Sequence, residues 1–427
     1  MSQHDDKSPF DWDKWPFILP DGDPGEPEED ETWTSSYVRF DELSLRLSAE
    51  IGSVSAMSEL GRKLLWGEDG YRKDPQEAVK WLGAAAEQGD AEAQADYGYC
   101  LQYGVGCKKD IKKAVRMLRA SAMQGDDFGM GYYGYCLQKG IGCKKNPEKA
   151  VRLYRAAAKN GNNYGLYNYG NCLQYGIGCE KNPRKAVRMY RIAAKQGSSS
   201  GQNCYGFCLQ HGIGCEKNPE KAVRLFRAAA KQGDASGQNN YGFCLDNGIG
   251  CKQNPEKAVR WYRKAAKQGN LTAQNNYAYC LVDGTGCRKN PRKAFKLFRA
   301  AAKQGDSSAL GNYGRCLQDG IGCKKNLEKA VRLYRAAAKR GNLAAQMNYA
   351  FFLQYGICCP MNPERAVRLY RAAAKQGNSD AQFNLASCLE RGIGCPQDID
   401  KALFWYRKAT EQGNTDAQKA LQRLENK

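Results

Sequence analysis

The sequence predicts an all-α fold, a solenoid of stacked αα-hairpins, and two observations carry the prediction. The first is a period. A glycine recurs every 36 residues, at Gly89, Gly125, Gly161, Gly197, Gly233, Gly269, Gly305, Gly341, Gly377 and Gly413. A fixed repeat of this size is the mark of a solenoid. The second is the pattern inside each copy, where small and apolar residues fall at helical spacing. Length alone, 427 residues at 42% hydrophobic, would suggest roughly two or three globular domains. The repeat replaces that expectation with a single array.

The chain opens differently. Up to Glu31 it carries eleven acids and two lysines, with prolines at Pro9, Pro16, Pro20, Pro24 and Pro27. That segment, at −9, leaves +29 on the rest of a chain whose net charge is +20. It cannot bury enough surface to fold alone, so residues 1–36 are expected to be a disordered acidic tail. Phe10, Trp12, Trp15, Phe17 and Trp33 among the acids suit a partner-binding segment. A solubilising tail, or one that folds back onto the basic remainder, are the alternatives. The tail lacks the basic start and apolar core of a secretory signal. No run reaches the ~18 apolar residues of a spanning helix. Both features predict a cytoplasmic protein with no membrane insertion.

Residues 37–52 read as an N-terminal capping helix, with Leu43, Leu45 and Leu47 along it. Ten hairpins are expected over 53–416. The first has an extra residue near Gly70 and lacks the cysteines of the others, as terminal repeats tend to deviate. A capping helix over 417–427 closes the array.

The copy from Gly237 to Thr272 shows the unit. Gly237, Tyr241, Cys244, Leu245 and Gly248 mark one face of a short first helix, A, which Gly248 stops in the left-handed conformation. Asn239, Phe243, Asp246 and Asn247 lie on its other face. Helix B opens on Asn254, Pro255 and Glu256, which suit an N-cap, a first helical position and the positive helix end. Ala258, Val259, Trp261, Tyr262, Ala265 and Ala266 form its apolar side. Lys257, Arg260, Arg263, Lys264 and Lys267 lie opposite. One hairpin cannot cover its own apolar seam, so neighbours must stack on it.

The order A-x-x-x-Y-G-x-C-L-x-x-G-x-G, then N-P-E-K-A, then Y-R-x-A-A-x-x-G, resembles the Sel1-like repeat, a relative of the tetratricopeptide repeat. The resemblance runs from about residue 53 to 427. It implies a right-handed superhelix, with helix A lining the concave side and helix B the convex side, and the role of a scaffold or adaptor for other proteins. Two features depart from the family pattern. Tyrosine stands where leucine is usual, at Tyr97, Tyr133, Tyr169, Tyr205, Tyr241, Tyr277, Tyr313 and Tyr349, and cysteine replaces the valine after G-x-G.

Of nineteen cysteines, eight end helix A (such as Cys244) and nine follow seven residues later (such as Cys251). Cysteine-rich secreted members of the family suggest disulfides, although their bridges join helix B to the next helix A. Without a secretory signal, reduced thiols serving as small hydrophobes are the other reading. The spacing lacks the short ligand pairs of zinc sites, and no metal or cofactor is expected.

Two surfaces are candidates for binding. On the outer face of helix A, aromatics and amides recur: Tyr99, Gln102, Tyr135, Gln138, Gln174, Asn203, Phe207, Gln210, Asn239, Phe243, Asn275, Tyr279, Gln318, Phe351 and Gln354. Amides can satisfy an extended peptide's backbone and aromatics supply anchoring area, which predicts a protein or peptide ligand of unknown identity. Packing of the aromatics between repeats is the alternative. On helix B, Arg152, Arg155, Lys159, Arg188, Arg191, Arg224, Arg227, Arg260 and Arg263 would align into basic ridges. These could hold nucleic acid or acidic protein. They lack the interleaved aromatics of a single-strand groove, and a plain solvated face explains them as well.

Catalysis has little support. His4 and His211 are the two histidines of the chain. The G-x-G motifs sit in hairpin turns with no preceding strand, so they are not nucleotide fingerprints. The expected protein is not an enzyme.

Overall fold

The computed structural model describes residues 34–426, and the acidic tail up to Trp33 lies outside the described residues. Among the described residues there are 22 α-helices, one 3-10 turn and no strand. The first helices are α1 (Thr34–Glu50), α2 (Val54–Trp66), α3 (Pro75–Glu87), α4 (Ala91–Tyr103) and α5 (Ile111–Met123). There follow α6 (Asp127–Lys139), α7 (Pro147–Lys159), α8 (Asn163–Tyr175), α9 (Pro183–Lys195), α10 (Ser199–His211) and α11 (Pro219–Lys231). Then come α12 (Ala235–Asn247), α13 (Pro255–Lys267), α14 (Leu271–Asp283), α15 (Pro291–Lys303) and α16 (Ser307–Asp319). The last are α17 (Leu327–Lys339), α18 (Leu343–Tyr355), α19 (Pro363–Lys375), α20 (Ser379–Arg391), α21 (Ile399–Glu411) and α22 (Thr415–Glu425). Even-numbered helices from α2 to α20 are helix A of a hairpin, and odd-numbered ones from α3 to α21 are helix B.

The ends of these helices follow from the sequence. Each helix A from α4 on begins after an Asp, Asn or Ser whose side chain accepts a backbone N–H three residues on, as Asn270 does from Ala273 at 2.8 Å. This satisfies an amide that a helix start otherwise leaves without a partner. Helix B begins the same way, Asn254 accepting from Lys257 at 3.0 Å with Pro255 at the first helical position. Helix A stops at a glycine in the left-handed region, Gly248 at φ +69 in α12.

Backbone contacts divide the chain into two compact units, residues up to Met117 and residues from Leu118. In the first, α1 packs on α2, and Ala49, Leu60, Leu64, Leu82 and Ala85 form the core. A 3-10 turn at Glu68–Gly70 takes up the extra residue of the first hairpin, with Asp69 at φ +52. Arg46 of α1 donates to Glu42 at 2.9 Å and to both carboxylate oxygens of Glu77 on α3. That bond holds the Glu77 carboxyl below its ordinary range. A depressed carboxylate stabilises the fold above its unfolded pKa, and the contribution is lost as pH falls through the folded value. Glu77→Gln is therefore expected to weaken the seating of α1 by about 0.5–1 kcal/mol at neutral pH for a half-exposed pair. The wild type should lose the same increment on acidification. Hydrogen exchange of α1 amides, corrected for intrinsic rates, reads both; equal protection at every pH would exclude this role for the pair.

In the second unit each hairpin packs on the next, α7 on α8, α9 on α10 and so on to α21 on α22. Its core is a column of helix B rings, Tyr154, Tyr190, Phe226, Tyr262, Phe298, Tyr334, Tyr370 and Tyr406, all essentially inaccessible. Most of these rings lie on a helix A glycine. A Cβ on Gly170 would stand 2.5 Å from the Tyr190 ring, and one on Gly242 2.9 Å from Tyr262. The glycine of each Y-G pair thus lets helix A approach a large ring on helix B. Gly129 and Gly165 serve the neighbouring contact, against Ser121 and Ala157 at the end of the preceding helix B.

Candidate functional site

The outer arc of helix A holds large side chains open to solvent. Phe207 of α10 is 38% exposed, Phe243 of α12 40% and Phe351 of α18 48%. One turn further along the same helices, His211 stacks on Phe207 at 4.4 Å and Tyr355 on Phe351 at 4.8 Å. Tyr135 is half-buried. In the first unit Tyr99 is half-buried between Trp66 at 5.3 Å and Tyr103 at 4.9 Å. Tyr279 belongs to the same column but is fixed in place. Its hydroxyl donates to Asn312 at 2.5 Å, its ring meets Phe298 edge-on at 5.5 Å, and the Arg315 guanidinium lies 5.2 Å over it.

The amides predicted beside these aromatics are mostly turned inward, and the expectation that they contact a ligand is corrected here. Gln138, Gln174 and Gln318 accept the hydroxyl of the buried helix B tyrosine of their own hairpin: Tyr154 at 3.1 Å, Tyr190 at 3.0 Å and Tyr334 at 2.8 Å. Gln210 and Gln354 face Cys208's counterparts instead, taking the Cys244 thiol at 3.7 Å and the Cys388 thiol at 4.0 Å. Gln102 is buried. Asn203, Asn239 and Asn275 form a ladder between hairpins, accepting from Asn240 at 2.8 Å, Asn276 at 3.0 Å and Asn312 at 2.7 Å. A buried amide must be hydrogen-bonded, and these are bonded within the fold. They rigidify the array rather than offering it to a ligand.

Sequence reasoning missed this because it treated helix A as two-faced. A helix inside a stack touches its own helix B and both neighbouring A helices, leaving a narrower free arc. One signal was present: Val282 replaces the amide in the hairpin whose helix B carries Phe298, a ring with no hydroxyl to satisfy.

On helix B, Arg152, Arg155, Lys159, Arg188, Arg224, Arg227, Arg260 and Arg263 are exposed, and Arg191 is half-buried. The exposed eight enter no ion pair among the described residues. The lysine at the start of helix B is engaged elsewhere. Lys149, Lys185, Lys221 and Lys329 lie 5.7–5.8 Å over Tyr133, Tyr169, Tyr205 and Tyr313. That cation–π contact gives the tyrosine at the family's leucine position a physical role.

No disulfide joins the cysteines, all of which lie in the described residues. The helix A thiols are buried, and burial pushes the Cys244 and Cys280 thiols up to about 12. At neutral pH they hold almost no thiolate, the nucleophilic and metal-binding form. The loop thiols bond the end of helix A, Cys323 donating to the Cys316 carbonyl at 3.3 Å and Cys287 to that of Cys280 at 3.5 Å. Among the described residues no His, Cys, Asp and Glu cluster fit for a metal ion is present. No helix among them is long and apolar enough to cross a membrane.

A model of the Sel1 repeat matches ten consecutive segments, from 54–90 to 379–414. Among solved structures, the chain is similar to c5321, a protective antigen of uropathogenic Escherichia coli with an SLR fold. The two are 31% identical over 90% of this chain and 82% of that one, with a TM-score of 0.61. A Sel1 repeat protein from Oxalobacter formigenes is 29% identical over 72% of this chain and 89% of its own, with a TM-score of 0.50. A comparison with curated proteins gives no match.

Proposed function

The chain belongs to the Sel1 repeat family, whose members are generally non-catalytic mediators of protein–protein interaction, and from that premise we propose that it is a scaffold binding a partner's peptide segment along the outer arc of helix A. The observation that carries the reading is the exposure of Phe207, Phe243 and Phe351 on a helix face whose amides are bonded within the fold. Phenyl rings left this open to solvent at one repeat position cost solubility and bury only part of their area in the fold, whereas aromatic anchors dominate binding energy at interfaces.

The test compares wild type with Phe207→Ala/Phe243→Ala/Phe351→Ala in a pull-down from nuclease-treated lysate of the source cell, with partners identified by mass. Tyr279 is left intact because its bonds to Asn312 and Phe298 make it part of the fold. The variant should keep its circular dichroism and lose a discrete protein; an anchor of this kind is worth about 2 kcal/mol or more, roughly thirtyfold in affinity. The exposed, unpaired arginines of helix B support a second reading, an electrostatic surface for nucleic acid or acidic protein. Capture that survives the three substitutions and disappears at moderate salt would replace the first reading with that one.

A further inference from the structure

Between α12 and α14 the helix A arc is indented by a cavity of about 230 Å³. This is smaller than the pockets of ~300 Å³ and above that hold cofactors and drug-sized ligands, and suits one side chain. Its lining includes Phe243, Asp246, Asn247, Tyr279, Asp283 and Thr285. Two carboxylates and two aromatic rings therefore converge in a chain of net charge +20. Neither Asp246 nor Asp283 has an ion-pair partner among the described residues. Asp246 is half-buried, and among the described residues only the Tyr262 hydroxyl donates to its carboxylate, at 3.5 Å. Burial raises its carboxyl above the ordinary range, the state of an acid short of counter-charge. Tyr279 already acts as a cation acceptor, since Arg315 lies over its ring.

We propose that this cavity receives the lysine or arginine side chain of the bound peptide, the ammonium or guanidinium between Asp246 and Asp283 and the methylene stem against Phe243 and Tyr279. The inference rests on the scaffold reading above and adds the chemistry of one peptide position. Carboxylates bond such donors strongly, and aromatic faces add cation–π attraction. The residues at the same positions of the other hairpins explain why the pair of acids stands at this junction. At the position of Asp246 most hairpins carry glutamine, and at that of Asp283 the preceding hairpin carries Asn247.

That comparison also supplies variants that keep the fold. Asp246→Gln restores the residue that accepts a tyrosine hydroxyl elsewhere in this chain, and Asp283→Asn restores the residue of the hairpin before. The probes are Nα-acetylarginine methylamide and its neutral isostere, the citrulline methylamide, followed by saturation-transfer NMR on the intact protein. Wild type is expected to bind the arginine probe about tenfold more tightly, the scale of one charge-assisted hydrogen bond. Asp246→Gln/Asp283→Asn should abolish that preference, and Asp319→Asn, at the position of Asp283 one repeat on but outside the cavity, should keep it. Absent arginine binding, equal binding of the two probes by wild type, or an unchanged preference in the double variant would overturn the proposal. Should any of these occur while the three-phenylalanine variant still loses its captured protein, the scaffold reading stands and only the cationic pocket falls.

Discussion

Tyr190→Ala is expected to cost about 3–5 kcal/mol, the range for deleting a large buried ring. Tyr190 is inaccessible to solvent, and its ring lies against the backbone of Gly170. Side chains can sometimes relax into a vacated space, but here one wall is helix backbone, which cannot move without unseating α8. The substitution also removes the donor for Asn171 at 2.7 Å and Gln174 at 3.0 Å. Tyr190→Phe isolates that part and should cost about 1–2 kcal/mol. Phe226 and Phe298 occupy the same position in other hairpins, so a ring without hydroxyl is compatible with the fold. Because stability in a repeat array is local plus nearest-neighbour, lost hydrogen-exchange protection should centre on α8, α9 and α10 and fade toward α20. Uniform loss from α6 to α22, or a change under 1 kcal/mol in urea unfolding, would contradict this packing scheme.

The features that were legible in the sequence are those decided locally. Caps such as Asn254 and Asn270, the proline opening helix B and the glycines of the turns each act within a few residues, so a single copy reveals them. The period then multiplies a weak local signal tenfold in sequence and makes the architecture plain. What escaped was decided between copies. Whether Gln174 faces water or Tyr190 depends on the ring 16 residues on in the same hairpin, and the asparagine ladder depends on residues 37 apart. A helical wheel drawn for one copy cannot see either. Phe207, Phe243 and Phe351, expected on the outer face of helix A, are exposed there, while Tyr279 of the same column is bonded into the fold by a neighbour one repeat on. The cavity at Asp246 went unnoticed because two acids in adjacent hairpins look, one copy at a time, like scatter at a variable position.

Gly250→Ala is expected to destabilise the array by more than about 2 kcal/mol, because left-handed strain adds to a backbone collision. Gly250 closes the G-x-G turn at φ +67, and a Cβ there would stand 2.3 Å from the Pro219 carbonyl oxygen and 2.5 Å from its carbon. Neither atom can swing aside, since both belong to the first turn of α11. The same approach recurs at Gly178 against Pro147, Gly214 against Pro183 and Gly286 against Pro255. In one turn the chain itself carries the substitution: Cys358 replaces the second glycine, at φ +53. There α17 begins with Leu327 in place of the proline found in the hairpins just named. Glycine in the turn does not require proline at the helix start, since α5 begins with Ile111 and Gly142 still stands 31 residues on at φ +65. A Cβ in the turn does need the facing backbone to give, and leucine leaves free the φ that proline would fix. Cys358→Gly should then stabilise the array by about 1 kcal/mol through relief of left-handed strain alone. Leu327→Pro should be tolerated better beside Cys358→Gly than beside wild-type Cys358, a coupling that a double-mutant cycle in urea measures directly. Strict additivity in that cycle would mean that the turn and the helix start of the preceding hairpin are independent, and the seating of one hairpin on the last would need another cause.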